Sequence, residues 1–158
     1  IGAYLACPEK PLVCITGDGS FMMTMHELTV IKRYQLPIKI ILFNNSGYSM
    51  IQQTQDQWLK SEYHASSYEG GIDFPDYQYI AKSFSIEYLE ISHNVDAYDR
   101  LKQVFSSSKA VLCNVIIPSE ARVVPQVKAG YPNEDLEPLI DRDLFHSQMI
   151  IPAIEYNV

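Results

Sequence analysis

Two short apolar runs, each ending in a turn of distinctive chemistry, constrain the fold of this chain more than any other feature. Leu12-Val13-Cys14-Ile15-Thr16 runs into Gly17-Asp18-Gly19, and Ile38-Lys39-Ile40-Ile41-Leu42-Phe43 runs into Asn44-Asn45. Continuous apolar runs of this length suit strands buried on both faces of a sheet, the usual setting of parallel strands. Between them, Ser20 through Tyr34 has helical character: Phe21, Met22, Met25, Leu28, Thr29 and Ile31 form a broad face, and Lys32 and Arg33 suit the last turn. Leu36-Pro37 ends that helix. A strand, a helix and a second strand in this order make a βαβ unit with a right-handed crossover.

The alternation continues. Phe74-Pro75-Asp76 reads as a helix start with Pro75 at the first position, turning Tyr79, Ile80 and Phe84 inward. Tyr88 to Ile91 reads as a strand, Asp96 to Ser106 as a helix, and Ala110 to Ile117 as a third strong strand. Ser46 to Gly71 is rich in Gln, Ser, Tyr and Gly, which suits loop and short helix. The expectation is an α/β fold: a doubly wound parallel sheet with helices on both faces, spanning residues 1–120. An irregular, Pro-rich C-terminal extension follows over 121–158, adding no sheet and carrying a short helix near Asp143 to Met149. Ile1 to Cys7 reads as the last turns of a helix already under way, stopped at Pro8. That opening, without a methionine, implies an N-terminally truncated domain within a longer polypeptide.

Net charge is −7, with no block of Lys or Arg, so neither a nucleic acid nor an anionic membrane finds the clustered cations it needs. Hydrophobic residues make up 47% of the chain, yet no apolar run approaches membrane-spanning length. Cys7, Cys14 and Cys113 lie in or beside apolar runs and read as buried reduced thiols, consistent with a cytoplasmic location. No CxxC or HxxxH spacing suggests zinc.

The chemistry concentrates at the two strand ends. Asp18 offers a hard carboxylate oxygen and Asn45 an amide oxygen, both suited to Mg²⁺ or Ca²⁺. The flanking glycines let backbone N–H groups approach an anion, and a helix opened by Ser20 points its positive end the same way. In a parallel sheet, ligands bind beyond the carboxyl ends of the strands, where Asp18 and Asn45 both fall. The pattern points to a metal-bridged diphosphate. A plainer reading stands beside it, with Asp18 and Asn45 as turn residues of a non-catalytic α/β module that binds a partner. Met22 and Met50 double as core fillers, and His26 and Glu27 read as surface or packing residues.

Gly17-Asp18-Gly19, 24 residues of intervening chain and Asn44-Asn45 together resemble the thiamine-diphosphate-binding motif. The longer run Gly17-Asp18-Gly19-Ser20-Phe21-Met22-Met23-Thr24-Met25-His26-Glu27-Leu28, with Leu36-Pro37-Ile38-Lys39 and Gly47-Tyr48-Ser49-Met50-Ile51, is similar to the acetolactate synthase large-subunit branch. The resemblance implies thiamine diphosphate and Mg²⁺ as cofactors. Asp18, Asn45 and the Gly47 carbonyl would hold the metal, and Gly17, Gly19, Ser20, Gly47 and Tyr48 would line the diphosphate. Met50 would lie toward the thiazolium and substrate. It further implies 2-keto acid substrates, decarboxylation with carboligation (alternatively simple decarboxylation), and a homo-oligomer. A glutamate on a separate pyrimidine-binding domain, of the same or a neighbouring subunit, would activate the cofactor. No catalytic residue is expected within this chain, which alone would be inactive, and FAD use is left open. Acetolactate synthases usually carry a tryptophan four residues beyond the position matched by Met50; this chain has Thr54 there, with Trp58 further on.

Overall fold

The structure is a computed structural model that describes residues 1–153. It divides into two compact units: residues 1–49 with 63–121, and residues 50–62 with 122 onward. The first unit ends at Ala121, and Met50–Glu62 groups with the tail.

The first unit opens with helix α1 (Gly2–Ala6), then strand β1 (Val13–Gly17), helices α2 (Asp18–Thr24) and α3 (Leu28–Tyr34), and strand β2 (Lys39–Asn44). Helix α4 (Ser49–Trp58) begins at the end of this stretch and lies almost wholly in the second unit. Helix α5 (Tyr77–Ser83), strand β3 (Glu87–Ile91), helix α6 (Ala97–Ser106) and strand β4 (Val111–Ile116) complete the first unit. The four strands pair in parallel in the order β1-β2-β4-β3, so the expected parallel α/β sheet is present. Ile15 lies beside Ile41, and Ile41 beside Cys113, which fixes alternate residues on opposite faces.

Each face has its own core. Ile40, Leu42 and Leu112 pack with Phe21, Leu28 and Ile31 from α2 and α3, and with Tyr77 and Ala81 from α5. On the other face Ile41, Val111 and Cys113 pack with Val104 of α6. Helices therefore cover both faces, as a doubly wound sheet requires.

Four local expectations need correction. Strand β1 is not buried on both faces: it stands at the sheet edge, and Ile15 is 66% exposed. Cys14, on that edge strand, is exposed, as is Cys7 at the end of α1; of the three cysteines only Cys113 is buried. The helix expected across Ser20–Tyr34 breaks into α2, a 3₁₀ turn at Met25–Glu27, and α3. Thr24 leaves the helical region there (φ −124°, ψ 8°), and its hydroxyl bonds back to the carbonyls of Ser20 and Phe21, an alternative to helix propagation. Helix α5 is capped by Asp76, whose carboxylate accepts N–H bonds from Gln78 and Tyr79, so Pro75 lies outside it. Tyr77 is buried and Tyr79, expected inward, is 67% exposed, while Ile80 and Phe84 pack against the core.

In the second unit the tail forms a small antiparallel sheet of β5 (Gln126–Val127) and β6 (Leu136–Glu137), where none was expected, followed by α7 (Arg142–Gln148). Gln53 of α4 donates to the Val123 carbonyl (3.0 Å) and accepts the Val123 N–H (2.9 Å), matching both polar groups of one peptide residue. One turn on, Gln57 donates to the Val127 carbonyl and accepts the Ala129 N–H. Arg142 makes a two-pronged pair with the buried Asp135 (2.8 and 2.9 Å) and lies 4.3 Å above the Phe145 ring. Residues 154–158 of the expected extension lie outside the described residues.

Candidate functional site

Parallel pairing sets Gly17 beside Phe43, so the turns that follow β1 and β2 meet at one edge of the sheet. Asp18, only 3% exposed, begins α2 and turns its carboxylate toward the loop after β2. Oδ1 accepts the N–H of Gly19 at 2.7 Å; Oδ2 accepts those of Asn45 (3.1 Å) and Gly47 (3.3 Å). Asn44 shapes that loop by accepting the Ser46 N–H (3.0 Å), with Ser46 in the left-handed region (φ 54°). Burial pushes the Asp18 carboxyl above its ordinary range, while the N–H groups of Gly19, Gly47, Asn45 and Ser46 pull it back.

The Asn45 side-chain amide closes the arrangement. Its inward atom lies 2.7 Å from the Gly47 carbonyl oxygen and 3.2 Å from Asp18 Oδ2. With its NH₂ turned inward, the amide donates to both. With its oxygen turned inward, three hard oxygens from Asp18, Asn45 and Gly47 face one another, a set that a cation reconciles. Such a donor set fits Mg²⁺, which completes its shell with water and phosphate oxygens. Among the described residues no group of three or more His, Cys, Asp or Glu side chains converges. Asp18 is thus joined here by neutral oxygens.

The other residues singled out by sequence fall in different places. Gly17 is the extended N-cap of α2 (φ −87°, ψ 163°), and Ser20 is exposed on that helix. Gly19 is covered by Tyr48: a Cβ on Gly19 would stand 2.1 Å from Cε1 of that ring. The Tyr48 N–H, expected to face an anion, donates to the Ser66 carbonyl at 2.9 Å. The Gly19 N–H is likewise engaged, by its neighbour's carboxylate. Met50 is exposed and belongs to the other compact unit, as does Thr54, whose hydroxyl bonds back to the Met50 carbonyl (3.1 Å).

Sequence reasoning missed Phe74, Tyr77 and Ser66. Phe74 meets Tyr48 edge to face (centroids 5.8 Å apart), and Tyr77 meets Phe21 in the same way at 5.8 Å. The Tyr77 hydroxyl donates to the Asp18 carbonyl at 3.5 Å. The signal for Tyr77 was present in Asp76, a better helix cap than Pro75 is a helix start.

Fold and site together define an α/β domain in which side-chain and backbone oxygens of Asp18, Asn45 and Gly47 gather at the carboxyl ends of two adjacent parallel strands. Residues 1–115 match the model of the thiamine pyrophosphate enzyme C-terminal TPP binding domain, and the chain belongs to that family. It is 32% identical over 136 residues to the large subunit of acetolactate synthase isozyme 1 of Escherichia coli (strain K12), covering 86% of this chain and 24% of that protein. The isozyme 2 large subunit of the same organism is 34% identical over 136 residues, again covering 86% and 24%. The chain thus spans about a quarter of the length of these relatives. Among solved structures, the thiamine diphosphate-dependent 4-hydroxybenzoylformate decarboxylase of Rhodococcus jostii RHA1 shares the fold (TM-score 0.65, 22% identity, covering 77% of this chain and 22% of that one).

Proposed function

We propose that this chain supplies the Mg²⁺ and diphosphate half of the cofactor site in an acetolactate synthase-like enzyme acting on 2-keto acids. The observation that carries the reading is the approach of Asp18, Asn45 and Gly47 oxygens within one loop contact. In this reading Asp18 Oδ2, Asn45 Oδ1 and the Gly47 carbonyl hold Mg²⁺, which neutralises diphosphate charge in a chain whose net charge is −7. In the same reading Gly17, Gly19 and Ser20, with Gly47 and Tyr48, line the diphosphate; at Gly19 a side chain would strike the Tyr48 ring. Met50 borders the thiazolium and substrate. When bound, thiamine diphosphate supplies the electron sink for making or breaking a bond next to a keto carbonyl.

The division of labour follows from the residues. The described part of the site offers oxygens to a cation, and through that cation it orients and neutralises a charged cofactor. The group that activates the cofactor belongs to a pyrimidine-binding domain of the same or a neighbouring subunit in a cytoplasmic homo-oligomer. This chain alone is inactive. Overall the reaction is transferase- or lyase-type, decarboxylation with carboligation.

The test is titration of thiamine diphosphate into the full-length protein with and without Mg²⁺, following thermal stability. A metal-dependent upward shift is expected, and no shift at any concentration refutes the reading. A product screen with pyruvate, 2-ketobutyrate and larger 2-keto acids then identifies the reaction: acetolactate-type products support carboligation, and aldehydes alone refute it.

A further inference from the structure

We propose that Phe74 and Tyr77 are positioning residues that clamp the two turns of the cation site together from outside. The proposal rests on the reading of that site given above. The two turns belong to different strands, and Asp18 links them from within by accepting Asn45 and Gly47 N–H groups. The segment Phe74-Pro75-Asp76-Tyr77 touches both turns. Tyr77 stacks edge-on against Phe21 and donates its hydroxyl to the Asp18 carbonyl, so it bears on the first turn. Phe74 stacks edge-on against Tyr48, and the Tyr48 ring in turn lies over Gly19. Phe74 therefore presses the second turn onto the first.

The residue types support this division. A phenylalanine would fill the Tyr77 site equally well, and burying a hydroxyl is costly unless it is bonded. Tyr77 is 3% exposed, so its hydroxyl is explained by the carbonyl it reaches. Edge-to-face geometry at Phe74 fixes the direction of the Tyr48 ring as well as its depth. Placement of Gly47 then follows, because it directly precedes Tyr48 in sequence. Neither Phe74 nor Tyr77 offers a side-chain oxygen to the cation itself at this point, so each acts through Asp18 or Tyr48.

The experiment compares wild type, Tyr77→Phe, Phe74→Leu and Phe74→Tyr in the full-length protein, with Tyr79→Phe on the exposed face of the same helix as control. Mg²⁺ affinity is measured at saturating thiamine diphosphate, and cofactor affinity at saturating Mg²⁺; melting of the cofactor-free protein is followed separately. Tyr77→Phe is expected to weaken Mg²⁺ binding by about fivefold, the scale of one lost hydrogen bond. Its cofactor-free melting temperature should stay within about 2 °C of wild type. Phe74→Leu should weaken both ligands, Phe74→Tyr should restore them, and Tyr79→Phe should change nothing. Wild-type affinities in both Tyr77→Phe and Phe74→Leu would overturn the clamp while leaving the site intact. Absence of Mg²⁺-dependent binding in wild type would overturn the site and the clamp together.

Discussion

The Asp18 carboxylate accepts the backbone N–H of Gly47 at 3.3 Å across 29 positions of sequence, joining the turn after β1 to the loop after β2. One buried carboxylate thus organises the loop.

Removing that charge should separate binding from folding. At a hundredfold excess over its Kd, a ligand stabilises the folded state by about 2.7 kcal/mol. Asp18→Ala should lose this gain entirely in thermal unfolding with Mg²⁺ and thiamine diphosphate. Persistence of the metal-dependent increment would remove Asp18 from the ligand set.

The same group sets a pH dependence. Its folded-state pKa is raised by burial, so its contribution to the cation-free fold is complete below the unfolded value of about 3.9 and fades as pH rises through the folded value. Ionised Asp18 is the form a cation recruits. The Mg²⁺-dependent melting increment should therefore be large at about pH 7.5 and shrink on acidification toward about pH 4. An increment independent of pH across this window would contradict the assignment.

Gly19→Ala should be tolerated poorly at the site and moderately by the fold. The new Cβ would stand 2.1 and 2.4 Å from two carbons of the Tyr48 ring, forcing the ring off Gly19. Overpacking of this kind costs about 1–3 kcal/mol. Denaturant unfolding should register that loss, and calorimetry should show cofactor affinity reduced at least about tenfold. Pairing with Tyr48→Ala should recover stability but not affinity.

Lys39 offers the opposite test, at the far end of β2. It is 5% exposed, its ammonium donates to the carbonyls of Ser107 (2.8 Å) and Lys109, and burial lowers its pKa. Lys39→Ala should destabilise the sheet by about 2–4 kcal/mol, through lost packing and two unpaired carbonyls. Cofactor affinity should not change, measured under conditions where the variant is folded.

In the second unit, Asp135→Ala should release Arg142 from its two-pronged pair and cost about 3 kcal/mol locally. Hydrogen exchange should accelerate across 126–148 while β2 and β4 stay protected.

The sheet was legible because most of its strands are short apolar runs, and the meeting of Asp18 with Asn45 because both follow such runs directly. Coverage was not legible. Ile15 is as apolar as Ile41, yet only long-range topology makes one an edge residue and the other core. Tyr77 was lost because the inward face was placed on Tyr79, two positions on, and the contact with Phe21 that buries Tyr77 is long-range. Two-residue strands such as Gln126–Val127 are too short to show alternation. The glutamines of α4 read as solvent-facing until their partners, 70 positions away, are known.

Those glutamines make the chain length between Val123 and Ala129 a ruler. Gln53 grips one peptide residue and Gln57 the next stretch, one helical turn apart, so each grip presupposes the other. A residue added or removed between Val123 and Val127 would put the second grip out of step at once. Substitutions can accumulate along that stretch more readily than insertions or deletions, and because the grips are neutral amides, added salt would leave them in place.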